Sequence, residues 1–61
     1  MPDWNAVLGL EAYDVARLDG ADEVGAVQAA VDVMCRRSPD LSLREAAKLI
    51  AQALNERETG H

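Results

Sequence analysis

The chain has 61 residues and a formal net charge of −5, so it is one domain at most and is not attracted as a whole to a polyanion such as nucleic acid. A domain of this size buries only about 60% of the surface that its unfolded chain exposes, and its core needs close packing or a partner chain. Because Cys35 is the only cysteine and His61 the only histidine, an internal disulfide and a structural zinc site are excluded.

The hydrophobic residues are mainly Ala, Val and Leu, with no Phe and with Trp4 and Tyr13 as the only aromatic residues. This composition favours helices, since Ala and Leu are strong helix formers and strands are enriched in aromatic and β-branched residues. No run of about 18 apolar residues occurs, and no basic start precedes an apolar segment with a cleavage site. We therefore expect a cytoplasmic protein with no membrane partner.

The first predicted helix spans residues 3–18. Its apolar stripe consists of Trp4, Leu8, Ala12 and Val15. Glu11 lies near the middle of this stripe, and Gly9 costs about 1 kcal/mol relative to Ala in a helix interior. Either one bent helix covers the segment or Gly9 divides it, and we favour the single helix. Trp4 is expected to anchor the N-terminus to the core.

The second predicted helix spans residues 22–37 and begins after an N-cap at Asp22 or Asp19. Its polar arc is narrow and consists of Gln28, Asp32 and Arg36. A helix that is apolar nearly all round is a central one and must be covered on two sides. Cys35 lies near the apolar seam and is expected to be a small core residue.

The third predicted helix spans residues 43–57. Ser42 with Glu45 three residues later forms a capping-box pattern, and Leu41 with Ala46 is placed to form a hydrophobic staple. The apolar stripe consists of Leu43, Ala47, Ile50 and Leu54, and its flank consists of Ala46, Leu49 and Ala53. Together they form an apolar arc wider than contact with one neighbouring helix needs. The polar tail, residues 58–61, is expected to fray.

These elements predict an all-α fold: a single domain over residues 1–61, built as a three-helix bundle with the second helix in the centre and completed by homo-oligomerisation. The surplus apolar surface predicts a face for contact with another helix. The residues of this predicted partner face are Ala26, Ala29, Ala30, Val33, Ala46, Leu49 and Ala53. We expect a small non-enzymatic interaction or regulatory module whose partner is a second copy or another helical protein.

No catalytic pattern is present in the sequence, because it contains no nucleophile with its base, no metal-ligand cluster and no phosphate-binding loop. We therefore expect no catalytic residues, no metal and no cofactor. The stretch LSLREAAKLI is typical of the first helix of a helix-turn-helix unit, but the residues that follow, AQALNERETGH, contain neither the turn nor a recognition helix. DNA is not an expected partner.

A second pattern extends over all three segments. AVLG places Gly9 eleven residues before Gly20, Ala26 follows six residues after Gly20, and LREAA opens the third helix. This order resembles the ANTAR domain, a three-helix bundle of bacterial transcription antiterminators that binds RNA hairpins. The resemblance implies, as the alternative function, RNA binding through basic residues. The phosphate contacts carried over are Arg36, Arg37, Arg44 and Lys48.

The charge distribution favours another interpretation of these four basic residues. Residues 1–34 contain seven acidic residues against one arginine, and residues 35–61 contain five basic residues against four acidic ones. Arg36 and Arg37 lie where cations stabilise a helix C-terminus. Arg44 and Lys48 are spaced as neighbours on one solvated helix face. On this interpretation the four residues provide solubility and helix capping.

Overall fold

A computed structural model describes residues 4–59, and over these residues the chain forms three α-helices and no strand. Helix α1 spans Trp4–Leu18, α2 spans Glu23–Arg37 and α3 spans Leu43–Thr59. The helices pack together as a compact bundle, in which α2 contacts both of the others. The predicted all-α, three-helix architecture is therefore confirmed.

The helix bounds differ little from the predicted ones. Residue 3, the predicted start of α1, lies outside the described residues, and α1 continues through Gly9 without a break. Helix α3 extends to Thr59, whose hydroxyl donates a hydrogen bond of 2.8 Å to the Asn55 carbonyl. The first half of the predicted frayed tail is thus helical, and residues 60 and 61 lie outside the described part of the chain.

The two later helices begin at caps that the sequence indicates. The Asp22 carboxylate accepts a hydrogen bond of 2.8 Å from the Gly25 N–H, which identifies Asp22 as the N-cap of α2. The Ser42 hydroxyl oxygen accepts one of 3.1 Å from the Glu45 N–H, and Glu45 Oε1 lies 3.5 Å from that hydroxyl. Leu41 packs against the core cluster that contains Ala46, which is consistent with the predicted hydrophobic staple.

The connection between α1 and α2 is a short turn of residues 19–22. Gly20 has a φ of 101°, a left-handed conformation that glycine adopts without the steric cost of a Cβ. The turn is closed by a hydrogen bond of 2.9 Å from the Ala21 N–H to the Ala16 carbonyl. So short a connection makes α1 and α2 antiparallel neighbours.

The core lies where the three helices meet. Its fully buried side chains come from α2 and α3, and they are Ala26, Ala30, Met34, Ala46 and Ile50. Helix α1 contributes the buried Gly9, with Leu10 and Tyr13 packed against the cluster.

The predicted apolar stripe of α1 does not face the core as a whole, and the predicted anchoring role of Trp4 is wrong. Trp4 and Val15 are each 66% exposed, so Trp4 does not anchor the N-terminus to the core. Turning this stripe inward would bury the Glu11 carboxylate, which is costly without a partner. Turning Gly9 inward instead lets two helix backbones approach closely.

Gly9 lies directly against the core side chains of the other two helices. A Cβ at this position would lie 2.7 Å from Met34 Sδ and 3.2 Å from Ile50 Cδ1. Both of those side chains are fully buried and have little room to move aside. Gly9 is therefore required by packing, which outweighs its low helix propensity.

An ion pair joins the end of α3 to the middle of α1. Both Arg57 guanidinium nitrogens Nη1 and Nη2 donate to the two oxygens of the Asp14 carboxylate, each at 3.0 Å. The Arg57 guanidinium also lies 6.0 Å from the centre of the Tyr13 ring. The hydrogen bond to Asp14 raises the pKa of Arg57 above its usual value. This contact spans 43 residues of sequence and holds α3 against α1.

We predict that Gly9→Ala destabilises the fold by roughly 1–2 kcal/mol, since overpacking costs about 1–3 kcal/mol and the gain in helix propensity returns about 1 kcal/mol or less. Gly25→Ala is the matched control, because an added Cβ there first meets the exposed Asp22 carboxylate at 3.1 Å. The measurement is the free energy of unfolding in urea. If Gly9→Ala is as stable as Gly25→Ala, the packing constraint is wrong.

We predict that Asp14→Asn lowers the free energy of unfolding by about 0.5–1 kcal/mol at low salt, the upper end for a half-exposed pair because the geometry is bidentate. The loss should shrink at about 1 M NaCl, where charges are screened. Asp32→Asn is the control, since the Asp32–Arg36 pair is more exposed and lies within one helix. Equal losses in the two variants at low salt would contradict a tertiary role for Asp14.

Candidate functional site

The structure divides the predicted partner face between the core and the surface. Ala26, Ala30 and Ala46 are fully buried within the chain itself, so they do not form a surface for a partner, and this part of the prediction is corrected. The physical reason is that these small side chains of α2 and α3 lie between the helices and form part of the chain's own core. Leu49 and Ala53 are half-buried, and Leu49 packs against the chain's own core.

The other two predicted partner residues, Ala29 and Val33, line an open groove between α1 and α2. The groove has a volume of about 410 Å³. Its lining residues are Leu8, Glu11, Ala12, Val15, Ala16, Asp19, Ala29 and Val33. We call this feature the α1–α2 groove.

The α1 side of this groove was not predicted, because Leu8, Ala12 and Val15 were identified as an apolar stripe but were not included in the partner face. One signal was available, because Glu11 lies within the same stripe and a buried core seldom contains an unpaired carboxylate. The stripe is apolar and yet lies at the surface. It is therefore a candidate contact surface.

The α1–α2 groove carries negative charge. The carboxylates of Glu11 and Asp19 line it, and neither forms an ion pair with any described residue. Asp14, between them in sequence, is instead paired with Arg57. The groove thus combines an apolar floor with two unpaired carboxylates.

A second open groove, of about 420 Å³, lies between α2 and α3. It is lined by Val27, Gln28, Val31, Asp32, Leu43 and Ala47. Its one carboxylate, that of Asp32, is paired at 3.0 Å with Arg36. This groove is also apolar, but its charge is already compensated.

The four basic residues that the sequence singled out are all exposed. Arg36 and Arg37 lie in the last turn of α2, and Arg44 and Lys48 lie in the first two turns of α3. The two pairs flank the connection of residues 38–42. Arg36 is engaged by Asp32, which leaves part of this positive charge compensated.

Cys35 is half-buried, and its thiol lies 3.6 Å from the Leu41 carbonyl oxygen. Within residues 4–59, no three His, Cys, Asp or Glu side chains come together in an arrangement that could hold a metal ion. None of the three helices has both the length and the apolar character needed to cross a membrane.

In comparisons with known proteins, the chain matches no family model, no curated protein and no solved structure. The resemblance to the ANTAR domain therefore stays a prediction from the residues that carry it. The case for a function depends on the geometry of the described residues.

Proposed function

We propose that this protein is a small non-enzymatic interaction module of regulatory type, and that it binds a helix of a partner in the α1–α2 groove. The observation that carries the proposal is the apolar lining of this open groove, in which Val15 is exposed and Leu8 and Val33 are half-buried beside three alanines. Contiguous apolar surface of this kind is typical of sites where proteins interact. A groove between two antiparallel helices is one of the recurring sites for an amphipathic helix.

The dimensions of the groove support a helical ligand. Leu8 and Asp19, at the two ends of its α1 side, are eleven residues apart, which corresponds to about 16 Å along the helix axis. That length accommodates about three turns of a docked helix. The floor residues Ala12, Ala16 and Ala29 have small side chains, so the backbone of a bound helix can come close.

The small core gives partner binding a second consequence. A chain of this size with so few fully buried large side chains, Met34 and Ile50, has a low stability of its own. A partner that binds only the folded chain stabilises it by mass action. Partner binding and folding are then coupled, which suits a regulatory role.

We predict that Val33→Asp weakens helix binding at least tenfold, because it places a charge in the apolar wall of the groove. Val24→Asp is the matched control, since Val24 is 65% exposed on the same helix and does not line the groove. The measurement is the Kd for helical peptides selected from a display library with a fixed Leu and Ala stripe. Sedimentation equilibrium on the same proteins detects a second copy as the occupant.

Circular dichroism should show that both Val→Asp variants keep their helices, because neither position is fully buried. The proposal fails if the wild-type chain neither binds any such peptide nor self-associates. It also fails if binding or self-association is unchanged by Val33→Asp.

RNA binding of the ANTAR type is the alternative function. One observation favours it: Arg37, Arg44 and Lys48 are exposed, have no ion pair among the described residues, and flank one connection. The acidic net charge counts against it, because non-specific RNA affinity depends on many cationic contacts to phosphate. For this reason it is second to helix binding.

On the RNA hypothesis, Arg44→Gln with Lys48→Gln should weaken binding to RNA hairpins at low salt and reduce the salt dependence by about two counterions at most. Gln28→Glu with Gln52→Glu lowers the net charge by the same amount at exposed positions and should bind nearly as wild type. The measurement is fluorescence anisotropy on a set of labelled hairpins. Absence of wild-type binding at low salt would eliminate the hypothesis.

A further inference from the structure

We infer that the ligand of the α1–α2 groove is a basic amphipathic helix from another protein, whose Lys or Arg side chains pair with Glu11 and Asp19. This inference rests on the proposed function, because it specifies the partner for the same groove. It is carried by the charge of the groove and of the whole chain.

The two carboxylates define the spacing of the partner's charges. Glu11 and Asp19, the residue that directly follows α1, are eight residues apart and both line the groove, so they are separated by about 12 Å along the direction of α1. Two basic residues placed seven or eight apart on a docked helix span about the same distance. The partner should therefore carry Lys or Arg at such a spacing beside its apolar stripe.

The unpaired state of these carboxylates makes the charge requirement strong. A docked helix removes water from Glu11 and Asp19, and a carboxylate that loses water without gaining a partner destabilises the complex. Neither has an ion pair to compensate for this loss among the described residues. An apolar or acidic helix therefore binds more weakly than a basic one.

A second copy of this chain is a poor occupant. Each copy carries a net charge of −5, and a groove-to-groove contact would bring four carboxylates together. Helix α3 offers Arg44 and Lys48 on its surface, but its three basic residues are matched by three acidic ones, and Arg57 is already bound to Asp14. None of the three helices formed by residues 4–59 therefore has the positive charge that the groove requires.

The second groove, between α2 and α3, does not compete for the same ligand. Its Asp32 carboxylate is paired with Arg36, so a basic helix would gain little from it. Of these two grooves, charge therefore favours the α1–α2 groove for a basic helix. The two grooves are distinguished by charge, since their volumes are nearly equal.

The test uses a display library of amphipathic helical peptides with a fixed Leu and Ala stripe and with flanking positions randomised among Lys, Glu and Gln. Peptides are selected separately against three proteins: the wild type, the groove double variant Glu11→Lys/Asp19→Lys, and the control double variant Asp40→Lys/Glu56→Lys. The control changes the net charge equally at exposed residues that do not line the groove.

We expect the wild type and the control to enrich Lys at positions seven or eight apart, and the groove variant to enrich Glu there. Replacing one of the enriched Lys residues of a selected peptide by Gln should weaken its binding to the wild type about two- to fivefold. This difference should shrink at high salt. The inference is overturned if all three proteins enrich the same charges or if none is enriched. Peptides bound without charge preference but lost in Val33→Asp, or self-association lost in Val33→Asp, would overturn it while leaving the proposed function intact.

Discussion

The close approach of α1 to Met34 and Ile50 at Gly9 determines the rest of this structure. Because Gly9 has no side chain, the backbone of α1 lies against the two largest fully buried side chains of the bundle. This contact fixes the rotation of α1 about its own axis. The stripe containing Leu8 and Val15 then lies beside the core instead of within it, and the groove follows from the same constraint.

The alanines of α2 have two different roles for a related reason. Ala26 and Ala30 point into the core, where they allow the neighbouring helices to come close, and Ala29 lies in the floor of the groove. A helix that is apolar nearly all round has no single inward face of its own. The neighbouring helices determine which side becomes core, and Gly9 of α1 packs against Met34 on that side of α2.

These facts separate what the sequence could predict from what it could not. The starts of α2 and α3 were predictable, because Asp22 and Ser42 act on backbone N–H groups three residues away. The rotation of α1 was harder to predict, since Glu11 within its apolar stripe was the one local signal and the packing at Gly9 is evident only from the structure. The predicted partner face failed for Ala26, Ala30 and Ala46 because apolar surplus does not say which side is covered. The Asp14–Arg57 pair was beyond local reasoning, since 43 residues separate its members.

The carboxylates of the α1 region show how one helix serves both the fold and a partner. Asp14 lies on the side of α1 next to α3, where Arg57 neutralises it and ties the two helices together. Glu11 and Asp19 lie on the side that lines the groove and have no such cation within the described residues. The rotation of α1 that buries Gly9 therefore also places Asp14 beside α3 and places Glu11 and Asp19 at the groove. A basic helix in the groove would supply Glu11 and Asp19 with ion-pair partners, as Arg57 does for Asp14. Its binding free energy would also stabilise the folded state of a protein with a small core.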